Sequence, residues 1–252
     1  MIVVPSPPTA AGLRICGVSL RKGQTQIFDD LHLELDDRRI GIIGDNGAGK
    51  SSLLRLVCGL DKPQSGFVQI AGHELGKEGQ WPEPGQHRVV GMMFQNPDDQ
   101  IVFPTVQEEL ALSLSSQGMG RAQVRARVFA FLAERGLSHW AERAVSGLSQ
   151  GQRQQVCWLA LSIAGHAVLL LDEPYASLDL LGQAQLRAEI ALSPCQVIVS
   201  THALEHVRDY PYVLWLDRGR VRSVGSGRKV CAAYEADVAE RIDAELPSGG
   251  VR

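Results

Sequence analysis

The chain has 252 residues, enough to bury one large core or one core with a small appended unit. Hydrophobic residues make up 44% and charged residues 21%, an ordinary balance for a globular enzyme. A formal net charge of −3 provides no global cationic field to hold nucleic acid or an anionic bilayer.

The chain opens on MIVVPSPPTAAG, which lacks a basic n-region and is broken by prolines, so a signal peptide is not expected. LRICGVSL and QIFDDLHLEL carry strand patterning around the turn-prone RKGQ. RRIGII is a short buried strand that runs into GDNGAGKSS, and SLLRLVCGL takes up helical spacing. FVQIAG is a strand, HELGKEGQWPEPGQ a Gly/Pro-rich loop and RVVGMMF another buried strand. From Thr105 to Ala164 the apolar spacing is helical throughout, in VQEELALSL, RAQVRARVFAFLAERG and GQRQQVCWLALSIA. Strands return with AVLLLDEP, QVIVST and YVLWLD, interleaved with the helix DLLGQAQLRAEIAL; a GRVRSVG hairpin and the helix YEADVAERIDAEL close the chain. This order predicts a parallel α/β core interrupted by a helical insert.

No apolar run approaches the roughly 20 residues that span a bilayer, so a membrane role is expected through a partner. Cys16, Cys58, Cys157, Cys195 and Cys231 form no CxxC pair; an odd, scattered set predicts reduced thiols and neither a disulfide frame nor a zinc site. Met92, Met93, Trp158 and Trp215 read as packing residues. His206 follows His202 by four residues, but HxxxH without a third ligand or the Glu of zinc peptidases is a poor metal site.

Two segments carry chemistry. GDNGAGKS at 44–51 satisfies GxxxxGK[ST] between a predicted strand and a predicted helix. Gly44, Gly47 and Gly49 let the backbone curl so that the N–H groups of Asp45, Asn46, Ala48 and their neighbours converge on phosphate oxygens. The helix start adds its positive end. Lys50 is expected to reach the β/γ-phosphates, Ser51 to ligate Mg²⁺ and Ser52 to help hold the phosphates. Further on, the apolar residues 168–171 lead into Asp172 and Glu173. A buried parallel strand ending in carboxylates presents them at the ligand-binding edge of the sheet. Asp172 is expected to anchor Mg²⁺ through water and Glu173 to act as general base on the attacking water.

LSQGQ at 148–152 precedes a helix, and here the chain resembles the ATP-binding-cassette (ABC) ATPases, whose signature is LSGGQ. The resemblance takes in the phosphate loop, Gln95 after the next core strand, LSQGQ, LLLDEP, the turn SLD and His202 in STHALEH. It implies a P-loop NTPase of ABC-ATPase fold: a mixed core sheet with an antiparallel β subdomain and a helical signature subdomain. The expected division is one ABC ATPase domain over 1–252, with 1–94 and 166–252 as the nucleotide-binding core and 95–165 as the signature subdomain. It also implies ATP and Mg²⁺ as ligands, with Gln95, Ser51 and Asp172 around the metal. Two cassettes, identical or paralogous, stack head to tail so that Ser149, Gly151 and Gln152 of one bind the γ-phosphate held by the other. In that frame His202 contacts the γ-phosphate and Asp179 communicates across the dimer.

The sequence departs from the family pattern at three places. Gln150 replaces the first signature glycine, Gln155 stands where an arginine is common, and Lys22 stands about where an adenine-stacking aromatic is usual. Lys22 is therefore expected to lie over the base as a cation.

FQNPDDQ followed by FPTVQEELA is similar to cassettes of energy-coupling-factor importers, which sit on the cytoplasmic face of the cell membrane against a transmembrane coupling subunit and a substrate-binding membrane subunit. There Gln95 binds Mg²⁺ and water, Pro97 shapes a hinge, and Asp98 or Asp99 is expected to salt-bridge an arginine of the coupling subunit. A vitamin or transition metal is the implied solute, biotin first and cobalt or nickel as the alternative. A soluble cassette acting on ribosomes or nucleic acid is the alternative of another class, but the densest basic cluster, RAQVRAR, reads as a solvated helix face, and no nucleic-acid partner is expected.

Overall fold

The computed structural model describes residues 12–70, 73–75 and 89–245; the chain start and most of the Gly/Pro-rich loop lie outside the described residues. The strands are β1 (Leu13–Lys22), β2 (Thr25–Leu35), β3 (Arg39–Ile43), β4 (Ser65–Ile70), β5 (His73–Leu75), β6 (Val90–Met93), β7 (Val168–Asp172), β8 (Gln196–Ser200), β9 (Tyr212–Asp217) and β10 (Arg220–Gly225). The helices are α1 (Lys50–Val57), α2 (Val106–Leu112), α3 (Arg121–Glu134), α4 (Gln150–Ala164), α5 (Leu180–Leu192) and α6 (Gly227–Glu245).

Two sheets result. Strands β2-β1-β4-β5 form an antiparallel sheet, and β10-β9-β3-β8-β7-β6 form a larger sheet, parallel except for β10 at its edge. Side-chain alternation divides the large sheet's two faces. Val168 and Leu170 of β7 join the core shared with α1 and the antiparallel sheet, whereas Leu169 and Leu171 face α4, α5 and α6. All four are at most 2% exposed, and each such side chain contributes roughly 1.5–3 kcal/mol of burial. An unbroken apolar run is what a strand covered on both faces requires.

Between β6 and β7 the chain is helical, with a core of its own built from α2, α3 and α4 around Leu110, Phe131, Leu132 and Leu159. Helix α4 belongs to both bodies: Val156 and Ile163 enter the arm, and Cys157 and Trp158 enter the sheet layer. Met92, Met93 and Trp215 are buried as well. The five cysteines are free thiols, and Arg121, Arg125 and Arg127 of α3 are exposed. His206 is buried and stacks on Tyr175 at 3.9 Å between centroids.

Candidate active site

Strands β3, β8, β7 and β6 are neighbours and parallel, so their carboxyl ends share one edge. The phosphate loop follows β3 and His202 follows β8; Asp172 ends β7 with Glu173 beyond it, and Gln95 follows β6. Together they surround a cavity of about 590 Å³ lined by residues 44–47 and 49–52 with Gln95, Asp172, Glu173, His202, Ile27 and Tyr234.

The loop's shape is dictated locally. Gly44 sits at φ 144°, and a Cβ there would come within 2.1 Å of the Leu216 carbonyl oxygen, so a side chain is excluded. Ala48 turns its methyl into the core and presents only backbone. Lys50 is 8% exposed, and its ammonium donates to the carbonyls of Gly44 (2.7 Å) and Asp45 (3.1 Å). Burial lowers its pKa, opposed by the charges of Glu173, Asp172 and Asp45. A bound phosphate would relieve that desolvation with a full negative charge.

Asp172 is buried, and desolvation pushes its carboxyl above the usual range while the Ser51 hydroxyl pulls it back. A hydroxyl, a carboxylate and the Gln95 amide on one cavity form a hard-oxygen donor set that suits Mg²⁺. Among the described residues no group of three or more His, Cys, Asp or Glu could hold a metal alone. That is compatible with an ion shared between a few protein oxygens, water and substrate phosphates.

Glu173 adopts φ 48°, in the left-handed region that few side chains occupy. Its backbone N–H donates to Ser200 (2.9 Å), and its Oε2 lies 2.9 Å from His202 Nδ1. The His202 backbone N–H donates to the same oxygen at 3.4 Å. The acid is therefore held in place while the imidazole, 67% exposed, stays open to a ligand.

The polar run FQNPDDQ folds into a 3₁₀ turn over 97–99, with Pro97 at its start and the Asn96 side chain accepting from the Asp98 N–H (3.3 Å). The Gln100 side chain reaches back to the Phe94 N–H (3.1 Å), which leaves Gln95 on the cavity wall. Asp98 is ion-paired: Arg153 Nε of α4 lies 3.0 Å from its carboxylate, whereas Asp99, exposed like Asp98, has no such ion pair among the described residues.

Lys22 departs from expectation. Its ammonium is 2.6 Å from Asp61, an ion pair that directs the side chain away from the cavity wall, which it does not line. Ile27 of β2 stands on the cavity wall instead. Ser149, Gly151 and Gln152 also lie outside the cavity, at the start of α4. Ser149 Oγ accepts from the Gln152 N–H (3.2 Å) and the Gln152 side chain accepts from the Ser149 N–H (3.1 Å), a reciprocal cap. Gly151 sits against the Ser177 carbonyl, where a Cβ would be 3.1 Å away. The Asp179 carboxylate caps α5, accepting from the Gly182 N–H at 2.8 Å. Tyr234 was not foreshadowed by any motif; it comes from α6, near the other end of the sequence from the phosphate loop.

A glycine-rich loop between a parallel strand and a helix, faced by strand-end carboxylates, defines a P-loop nucleotide hydrolase. Residues 28–176 match the ABC transporter family model, and the chain belongs to that family. It is 40% identical over 219 residues to the biotin transport ATP-binding protein BioM of Rhodobacter capsulatus, covering 87% of this chain and 92% of that one. It is 35% identical over 205 residues to the energy-coupling factor transporter ATP-binding protein EcfA1 of Streptococcus pneumoniae, covering 79% and 72%. Among solved structures, cbiO1 of Clostridium perfringens, part of the ABC transporter complex cbiONQ, superposes with a TM-score of 0.75 at 24% identity, covering 94% of this chain and 96% of that one. The last is a likeness of fold.

Proposed function

We propose that the chain is the ATP-hydrolysing subunit of an energy-coupling-factor importer and that its solute is biotin. The carrying observation is the 40% identity to a biotin transport ATP-binding protein over nearly the whole of both chains. The cobalt or nickel reading has no comparable support, because the likeness to cbiO1 is of fold.

In this reading the phosphate-loop N–H groups and Lys50 bind the β/γ-phosphates of ATP, and Ser51, Gln95 and Asp172 hold Mg²⁺, the last through water. When bound, the ion neutralises phosphate charge. Glu173, fixed against His202, accepts a proton from the attacking water, and His202 offers its other ring nitrogen to the γ-phosphate. Ser149 and the N–H groups at the α4 start reach the γ-phosphate held by a second copy or a paralogue. Losing that phosphate removes the bridge, and the pair opens.

Among the described residues no helix is long and apolar enough to cross a membrane. We place the chain on the cytoplasmic face through its partners, a transmembrane coupling subunit and a substrate-binding membrane subunit. The docking face is the exposed rim beside Gln95: Asp99, Val102 (73% exposed) and Phe103 (38% exposed). The N–H groups of Val102 and Phe103 both donate to the buried Glu109 carboxylate, at 3.0 and 2.9 Å, which fixes the pair at the surface.

The test is uptake of labelled biotin into vesicles carrying the chain with its membrane subunits. ATP-driven uptake that the Lys50→Ala variant abolishes is expected. Uptake of cobalt or nickel but not biotin would overturn the solute, and association of the chain with ribosomes in place of membranes would overturn the importer assignment.

A further inference from the structure

The C-terminal helix reaches the phosphate loop. The Tyr234 hydroxyl donates to Asp45 Oδ1 at 2.6 Å, and the Arg241 guanidinium donates to both Asp45 oxygens, at 2.5 and 3.3 Å. Asp45 is the residue whose main-chain carbonyl accepts from Lys50 (3.1 Å) and from the Ala48 N–H (3.1 Å). One residue therefore links α6 through its side chain and the nucleotide-binding lysine through its backbone.

The rest of α6 is arranged to hold that contact. Buried anchors come early in the helix, at Val230 and Cys231. Beyond them the helix is mostly exposed, and its partners are polar. Arg241 also pairs with Asp237 (2.9 Å), Asp237 with Arg222 of β10 (2.5 Å), and Arg222 with Asp217 of β9 (3.3 Å). The Tyr234 ring meets Trp215 of β9 edge-on at 5.3 Å. The arginines of these pairs are about half exposed, with only Asp237 largely covered (14%); such surface pairs add little to stability, so the C-terminal half of α6 is poorly explained as core packing. Electrostatics supply a better reason. Asp45 places a carboxylate in a loop whose purpose is to receive a polyanion, and an unpaired acid there repels phosphate. Arg241 and Tyr234 hold that carboxyl below its usual range, and burial with the Asp45 contact pushes the Tyr234 phenol up to about 12.

We propose that Tyr234 and Arg241 are positioning residues of the nucleotide site, clamping and neutralising Asp45 so that the phosphates of ATP meet a loop whose own acid is already paired. The proposal rests on the phosphate-loop reading above.

The test is equilibrium binding of ATP to the full-length chain at low and high salt, with folding checked by circular dichroism. Arg241→Ala is expected to raise the Kd about fivefold at low salt, and the effect shrinks as salt screens it. Tyr234→Phe acts in the same direction and more weakly. Adding Asp45→Asn to Arg241→Ala is expected to recover most of the lost affinity, because no charge then remains to neutralise; a helix that merely packs would give no such rescue. Should Arg241→Ala fail to fold, Arg241→Gln keeps donors without the charge and is read the same way. Parent-like binding by the Arg241 variants, or no rescue by Asp45→Asn, would overturn the clamp provided Lys50→Ala still loses binding. If Lys50→Ala binds ATP as the parent does, the phosphate-loop reading falls instead.

Discussion

The cavity at the sheet edge and the tip of α4 hold their functional groups in opposite ways. Lys50, Asp172 and Glu173 are each at most 8% exposed; the two acids stand at and next to the end of a strand covered on both faces, and Lys50 opens the helix behind the loop that follows β3. Ser149 is exposed, held by one reciprocal cap on an arm with its own core. Burial makes every charge in the first region costly unless paired, and each has a partner. The second region keeps a helix start open, with N–H groups that have no partner inside the helix. The first region has its groups in place within one chain. In the function proposed above, the α4 tip completes the nucleotide site only once it approaches the cavity of a second copy, so the two parts come together before turnover.

The contrast can be broken or sharpened experimentally. The largest effect is expected for Glu173→Gln, which should lower kcat for ATP hydrolysis by the assembled transporter about 10²–10⁴-fold while ATP binding by calorimetry persists. A parent-like rate would remove the general base. Next is Ser149→Arg at the presented tip. Turnover is expected to fall about 10²-fold and nucleotide-dependent pairing by light scattering to disappear, with ATP binding to a single chain retained. Loss of binding by the single chain would mean that the two regions are not separate.

Asp172 gives a third, pH-dependent measurement. Its carboxyl titrates above its usual value of about 4 because it is buried, so the folded chain keeps a proton that the unfolded chain has released. The stability it contributes therefore falls as pH rises from the unfolded value through the raised folded value, and levels off above it. Asp172→Asn should flatten that slope and raise Tm at neutral pH by about 2–4 °C in the ligand-free chain, although hydrolysis is lost. A lower Tm would show that the charge is well solvated. The smallest effect is expected for Asp98→Ala, which unpins the 3₁₀ turn from α4. With Asp98 61% exposed, thermal or urea unfolding should register less than about 1 kcal/mol.

What the sequence disclosed follows the same division. The loop GDNGAGKS, the strand-end acids and the capped tip of α4 are each written in a few adjacent residues, because backbone turns, strand ends and caps are local. The order of apolar runs also separated the helical stretch from the strands around it. Contacts between distant side chains left no such trace. Asp45 meets Tyr234 and Arg241 across 189 and 196 positions, and charge pattern alone could not choose among the many acids available to Lys22. Gln152 shows the limit in another form: the same side chain that LSQGQ offers to a nucleotide also caps the start of α4, and the sequence alone does not show that the cap holds it.

Four parallel strands side by side carry the loop, His202, Glu173 and Gln95 in that order. Adjacent strands are spaced by main-chain hydrogen bonds at about 4.8 Å, so three gaps set a reach of about 14 Å without help from any side chain. Apolar residues beneath can be exchanged for others of similar volume without altering those intervals. The interior is thus free to drift while the distances on which the chemistry relies stay where the peptide backbone puts them.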